Sequence, residues 1–112
     1  MTNTSLTALG REQLKLAKNA SSGRSSHTVF GGHEHTLRQT LIALVAGTKL
    51  SEHSNPGEAT VQVLQGRVRL SAGGVDWDGA QGHFIVVPDA THTLEALEDA
   101  VVLLSAVNIQ EV

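Results

Sequence analysis

Six histidines and no cysteine set the reactive chemistry open to this chain. Imidazole titrates near neutral pH and can act as general acid, general base or metal ligand. A chain without thiols forms neither disulfides nor thiolate metal sites. His33 and His35 stand two residues apart. On a strand that spacing puts both rings on one face, where they could share a cation. The competing reading makes Gly31-Gly32-His33-Glu34-His35 an exposed polar corner. His83 directly follows Gly82 and reads as the start of a surface strand, while His27 lies in a polar stretch and carries no signal. Among the cations, Arg38 stands out, because a planar guanidinium suits a carboxylate or phosphate.

Composition removes several function classes. The 112 residues fit one domain, 40% of them apolar, and the core must be aliphatic because Phe30, Trp77 and Phe84 are the only aromatics. A net charge of −3 and so few stacking rings argue against a nucleic-acid partner. The longest strongly apolar run, Leu41 to Val45, is far short of the roughly 20 residues that cross a bilayer, and no secretory leader pattern is present. The expectation is a cytoplasmic protein with neither nucleic-acid nor membrane partners.

The elements that must carry these side chains change character near residue 27. Leu6, Leu9, Gln13, Leu14 and Ala17 keep helical spacing, so residues 5–18 are predicted to form a helix with Ser5 as N-cap. Gly10 interrupts it at a cost of about 1 kcal/mol against alanine. Residues 19–26 are small, polar and aperiodic, and read as loop. From Thr28 onward the pattern is that of strands: 28–30, 37–45, 49–53, 60–64, 68–70, 84–87 and 101–107. Asn55-Pro56-Gly57 is a turn signal, and Gly73-Gly74 and Asp78-Gly79 both suit hairpins. Residues 1–26 are therefore expected to form an N-terminal helix and polar loop, and residues 27–112 a single all-β domain, a sandwich or a barrel.

Two segments resemble the sequence motifs of the cupin superfamily. Gly47-TKLSE-His53-S-Asn55-PGE-Ala59-TVQVLQ-Gly66 is similar to the first motif, with both outer glycines and the first histidine in place. Gly82-HFIVV-Pro88-D-Ala90-T-His92 is similar to the second, with Gly82 and Pro88 in place, Ala90 in place of a glycine and His92 one residue early. The resemblance covers roughly residues 37–107. It implies a jelly-roll barrel of two antiparallel sheets, with the pocket inside and both motifs at its mouth. It also implies a divalent transition metal held by two histidines and a carboxylate from the first motif and a histidine from the second. Carried over one position at a time, His53 and His92 match two ligands. Asn55 replaces the second histidine, and Ala59 replaces the carboxylate. An amide oxygen is a weak neutral donor and alanine is none, so the site is depleted. His33 or His35 could complete it. Glu58, beside the vacancy, would point to the other face under the two-residue period.

By the same resemblance Arg38, Thr40, Ile42 and Leu44 line the barrel interior. Arg38 then meets an anionic ligand or an internal carboxylate; a slipped register would leave it outside. The opposite face, Leu37, Leu41, Ala43 and Val45 with Leu64, must be covered by the helix or by a second copy, and a homodimer is expected. Trp77 covers the rim or anchors a partner. Two functions follow. One is a small-molecule-binding domain whose pocket includes Arg38, Thr40, His53, Asn55 and His92 and whose ligand is anionic. The other is an enzyme using His53 and His92, either a metal-dependent oxygenase or a metal-free isomerase or epimerase.

Overall fold

The computed structural model describes residues 3–53 and 57–107, the last three before the break, 51–53, by backbone only. Helix α1 spans Leu6–Asn19 and begins as predicted, with Ser5 Oγ accepting the Ala8 N–H at 3.2 Å. Nine strands follow: β1 (Arg24–Phe30), β2 (Leu37–Leu44), β3 (Lys49–His53), β4 (Ala59–Gln65), β5 (Arg67–Ala72), β6 (Val75–Ala80), β7 (Phe84–Val86), β8 (His92–Ala96) and β9 (Ala100–Val107). They form a five-stranded sheet in the order β1-β2-β9-β4-β7 and a four-stranded sheet in the order β3-β8-β5-β6. Every pairing is antiparallel.

Alternation of side chains divides the chain into two cores. Ile42, Leu44, Val61, Val63, Val68, Leu70, Leu94 and Val102 fill the space between the sheets. Leu41, Ala43 and Val101 face the other way and are sealed by Leu14 and Ala17 of α1, with Val45 and Leu64 packed alongside. β2 and β9 each bury a run on both faces, because they lie inside the larger sheet with the barrel on one side and α1 on the other. Gly10 has a structural reason. A Cβ there would sit 3.1 Å from Val101 Cγ1, so the glycine lets the helix approach β9 closely.

Four local expectations are corrected. Residues 24–26 are strand, not loop: Arg24, Ser25 and Ser26 pair with Leu44, Ala43 and Ile42. These polar residues show no apolar alternation, and Ser25 is held from above by its hydroxyl donating to Gln13 Oε1 of α1. Asp78-Gly79 is not a turn but lies inside β6, paired with Arg69 and Val68. Gly79 is there because a Cβ would crowd Ile85 Cδ1 at 3.0 Å and Val63 Cγ2 at 3.3 Å. The hairpin is made by Gly73-Gly74, whose φ angles of 57° and 79° suit a tight two-residue turn. Residues 92–96, to which the sequence reading assigns no strand, form β8 in the middle of the smaller sheet. The fourth correction is the first half of β6, Val75 to Trp77, where no strand was expected. On the outer face of β2, α1 supplies one of the two expected covers for Leu41 and Ala43. Among the described residues no helix is long and apolar enough to cross a membrane.

Candidate functional site

One end of the barrel gathers the start of β2, the end of β3, the start of β4, the end of β5, the start of β8 and the end of β9. His92 is placed there by alternation. It shares a face with Leu94 and Ala96, both buried in the core, and is itself only 4% exposed. Its Nδ1 lies 2.9 Å from the carbonyl oxygen of Ala90. A carbonyl only accepts, so in the neutral ring Nδ1 carries the hydrogen and Nε2 is the basic nitrogen. The loop that brings His92 one residue early in the motif thus still delivers its ring to the interior.

The β5 neighbour of His92 is small. Ala72 stands directly opposite it on β5, and Ala59 and Ala106 face one another across β4 and β9. Bulkier residues fill the rows toward the far end, where Leu44, Val68 and Leu70 are fully buried. Arg38 pairs with Ala106, and Thr40 pairs with Leu104, so both belong to the inward row of β2. Thr40 is half-buried, whereas Arg38 is exposed and joins no ion pair among the described residues. Gly31 is pressed against this residue: a Cβ would stand 2.8 Å from Arg38 Cα, at a φ of +118° that disfavours any other side chain.

β3 carries the other histidine. Leu50 pairs with Leu94 and His53 pairs with His92, with a register shift between them. Strict alternation from Leu50 would exclude position 53 from that row, and the irregularity is what brings it opposite His92. Its side chain, and all of Asn55, lie outside the described residues.

The remaining histidines go elsewhere. His33 and His35 occupy an exposed turn, and the His35 ring stacks on Phe30 at a centroid separation of 4.9 Å. His83 Nδ1 accepts the Ala80 N–H at 3.0 Å in the β6–β7 turn. His27 is exposed on β1.

A metal centre needs several donors, and the described residues do not group them. Ala59 occupies the carboxylate position, 4% exposed and inside the core. Glu58 is exposed, as the two-residue period predicts. Among the described residues no three His, Asp or Glu side chains are grouped to hold an ion. The described donor set does not fit the metal that the resemblance implies.

This arrangement of two sheets around an aliphatic core is matched in several solved structures. A conserved protein of unknown function from Streptococcus pyogenes superposes with a TM-score of 0.73 at 28% identity, over 82% of this chain and 80% of that one. A cupin superfamily protein from Desulfitobacterium hafniense superposes with a TM-score of 0.71 at 16% identity, covering 77% and 78%. The chain has the fold of a small single-domain cupin. An RmlC-like cupin from Desulfovibrio desulfuricans agrees, with a TM-score of 0.65 at 23% identity over 75% and 81%. No family model and no curated protein matches the chain. The cupin likeness therefore rests on architecture, and what the barrel does must be argued from its own residues.

Proposed function

We propose that this cupin barrel binds a small anionic molecule at one end, between His92 in the wall and Arg38 at the rim. The observation that carries the reading is the buried, inward-facing His92. A buried imidazole in the row of Leu94 and Ala96, with Ala72 opposite it on β5, is a polar group that could orient a ligand from the barrel wall. The His92 ring would contact a polar group of the ligand, and Arg38, which joins no ion pair among the described residues, would meet a carboxylate or phosphate. Thr40, one step further in on the same row, is a second hydrogen-bonding group, and His53 and Asn55 complete the proposed lining.

Imidazole 15N spectra recorded during titration with a panel of small carboxylates and phosphates test this. A saturable shift of the His92 signals is expected in the wild type, and the binding, followed by calorimetry in all three proteins, is weakened at least tenfold in Arg38→Met and lost in His92→Ala. Binding that is equal in wild type and both variants would sink the reading.

A second reading, a metal-free isomerase or epimerase, is favoured by one observation: the register that sets His53 opposite His92. Two imidazoles flanking a substrate could exchange a proton between its carbons. Its mark is solvent deuterium appearing at carbon in a ligand found by the panel, abolished in His92→Ala. Incubation that leaves every bound ligand unlabelled would remove it. The homodimer is a separate proposal. Leu37, 37% exposed, lies at the end of the outer face beyond the cluster that α1 seals. Sedimentation across a range of concentrations tests it, and a single monomeric species throughout would dismiss it.

A further inference from the structure

β6 is the outer strand of the smaller sheet and β7 the outer strand of the larger one, joined by the short turn through Gly82 and His83. At Gly79 the two sheets meet, with Ile85 and Val63 filling the place of the missing side chain. Further along β6 they part. Trp77 pairs with Leu70 and Val75 with Ala72, so both belong to the inward row. Their partners are 1% and 8% exposed, yet Trp77 is 40% exposed and Val75 is 51% exposed. Inward-row residues open to solvent mark a gap in the barrel wall. The gap is an open groove of about 580 Å³, walled by Trp77 and Asp78 on one side and by His83, Phe84, Ile85 and Val86 on the other. Phe84 and Val86 are 62% and 69% exposed. Two of the three aromatic side chains in the chain thus flank one groove uncovered.

We propose that this seam is a second binding site, for a flat heteroaromatic molecule that carries a hydrogen-bond acceptor at its edge. The volume falls within the roughly 300–1,000 Å³ usual for small-molecule sites. The seven residues that line it are too few for a stable protein interface, which takes about 20–30 a side. β7 pairs through only three residues, too short a ladder to hold an added strand firmly. Trp77 and Phe84 supply apolar faces for a ring. The polar group is His83. Because its Nδ1 accepts the Ala80 N–H, its hydrogen is on Nε2, and the ring offers the groove a donor. Asp78 is occupied by Arg69, which holds both carboxylate oxygens at 2.7 and 3.1 Å, so a cation finds little there.

Trp77 is the sole tryptophan, so the one indole N–H signal in a nitrogen–proton correlation spectrum reports on the groove alone. Quinoline and naphthalene are the probes, identical in shape but for the ring nitrogen. A saturable shift of the indole signal is expected with both, with quinoline bound about fivefold more tightly, the worth of one hydrogen bond. In His83→Asp, whose carboxylate can still accept the Ala80 N–H but has no hydrogen to donate, that preference disappears while naphthalene binding stays. Phe84→Ser weakens both probes. The proposal is overturned if neither probe saturates, or if quinoline shows no preference in the wild type. It is equally overturned if the indole signal shifts on dilution without probe, because a second copy then covers the groove.

Discussion

Ala59 shows how one residue changes what this barrel can do. Its small apolar side chain completes the aliphatic interior at the position where the cupin pattern has a carboxylate. Ala59→Glu would bury an acid without an ion to hold it, at a cost of about 2–4 kcal/mol. Burial disfavours the charged form and raises the carboxyl's pKa, so the deficit in a urea unfolding curve is expected to be smaller at pH 5 than at pH 7. A variant as stable as the wild type at pH 7 would show that a cation or basic group already faces position 59. Gly66 is decided by geometry instead. Its φ is +80°, and a Cβ would stand 2.2 Å from the carbonyl oxygen of Asp99, a backbone atom that cannot swing aside. Gly66→Ala is expected to lower stability by about 2 kcal/mol or more in the same assay. This glycine was legible from its motif spacing, but its reason, the close approach of the β8–β9 turn, was not.

At the scale of elements, α1 and the smaller sheet show opposite solutions to an exposed face. The outer face of β2 and β9 is apolar and needs a cover, which α1 provides through Leu14 and Ala17. Leu14→Ala should cost about 2–4 kcal/mol, seen as a lower urea midpoint with an unchanged slope. A loss under 0.5 kcal/mol would mean that the helix is not coupled to the barrel. The smaller sheet instead carries charge in register: Lys49 opposite Glu95, Glu95 opposite Arg69, Arg69 opposite Asp78. Alternating signs stabilise the pairing and keep that face in water. The Asp78 carboxyl is held below its ordinary range, first by the hydrogen bond from Arg69 and also by the guanidinium charge, against some desolvation. A depressed carboxyl stabilises the fold above its unfolded value and loses that contribution as pH falls through the folded one. The gap in melting temperature between wild type and Asp78→Asn should therefore be small at pH 7 and close in acid below the usual carboxylate range. A gap that widens in acid would contradict this. The strands of apolar alternation were legible in advance. β1 was only half legible, because Arg24, Ser25 and Ser26 owe their strand to pairing with β2 and to Gln13.

For the whole molecule, the end of the barrel closed by Leu44 and Val68 lies opposite the end that holds His92. Leu44 is fully buried at the closed end, together with Val68 and Ala100. Leu44→Ala is expected to cost about 3–5 kcal/mol and to lower the midpoints of the near- and far-ultraviolet unfolding curves together. Separate midpoints would reveal sheets that unfold independently. The opposite end holds the candidate site, and it was only partly foreseeable. Arg38 belongs to the inward row yet stands in solvent, since a row can leave the barrel before the strand ends.

The sequence by itself determined the fold class, the helix and its cap, the strands of apolar alternation, and the alanine at the position where the cupin pattern has a carboxylate. These follow from local periodicity and from residue chemistry, which act over a few neighbours. The tertiary structure alone decided that His53 stands in register with His92, that α1 covers the apolar outer face, and that Gly79 closes a seam which opens again at Trp77. Each depends on which distant segments meet: a register shift in β3, a glycine that admits a helix to β9, and two outer strands brought edge to edge. The spacing of residues along the chain cannot encode those meetings until the sheets have formed.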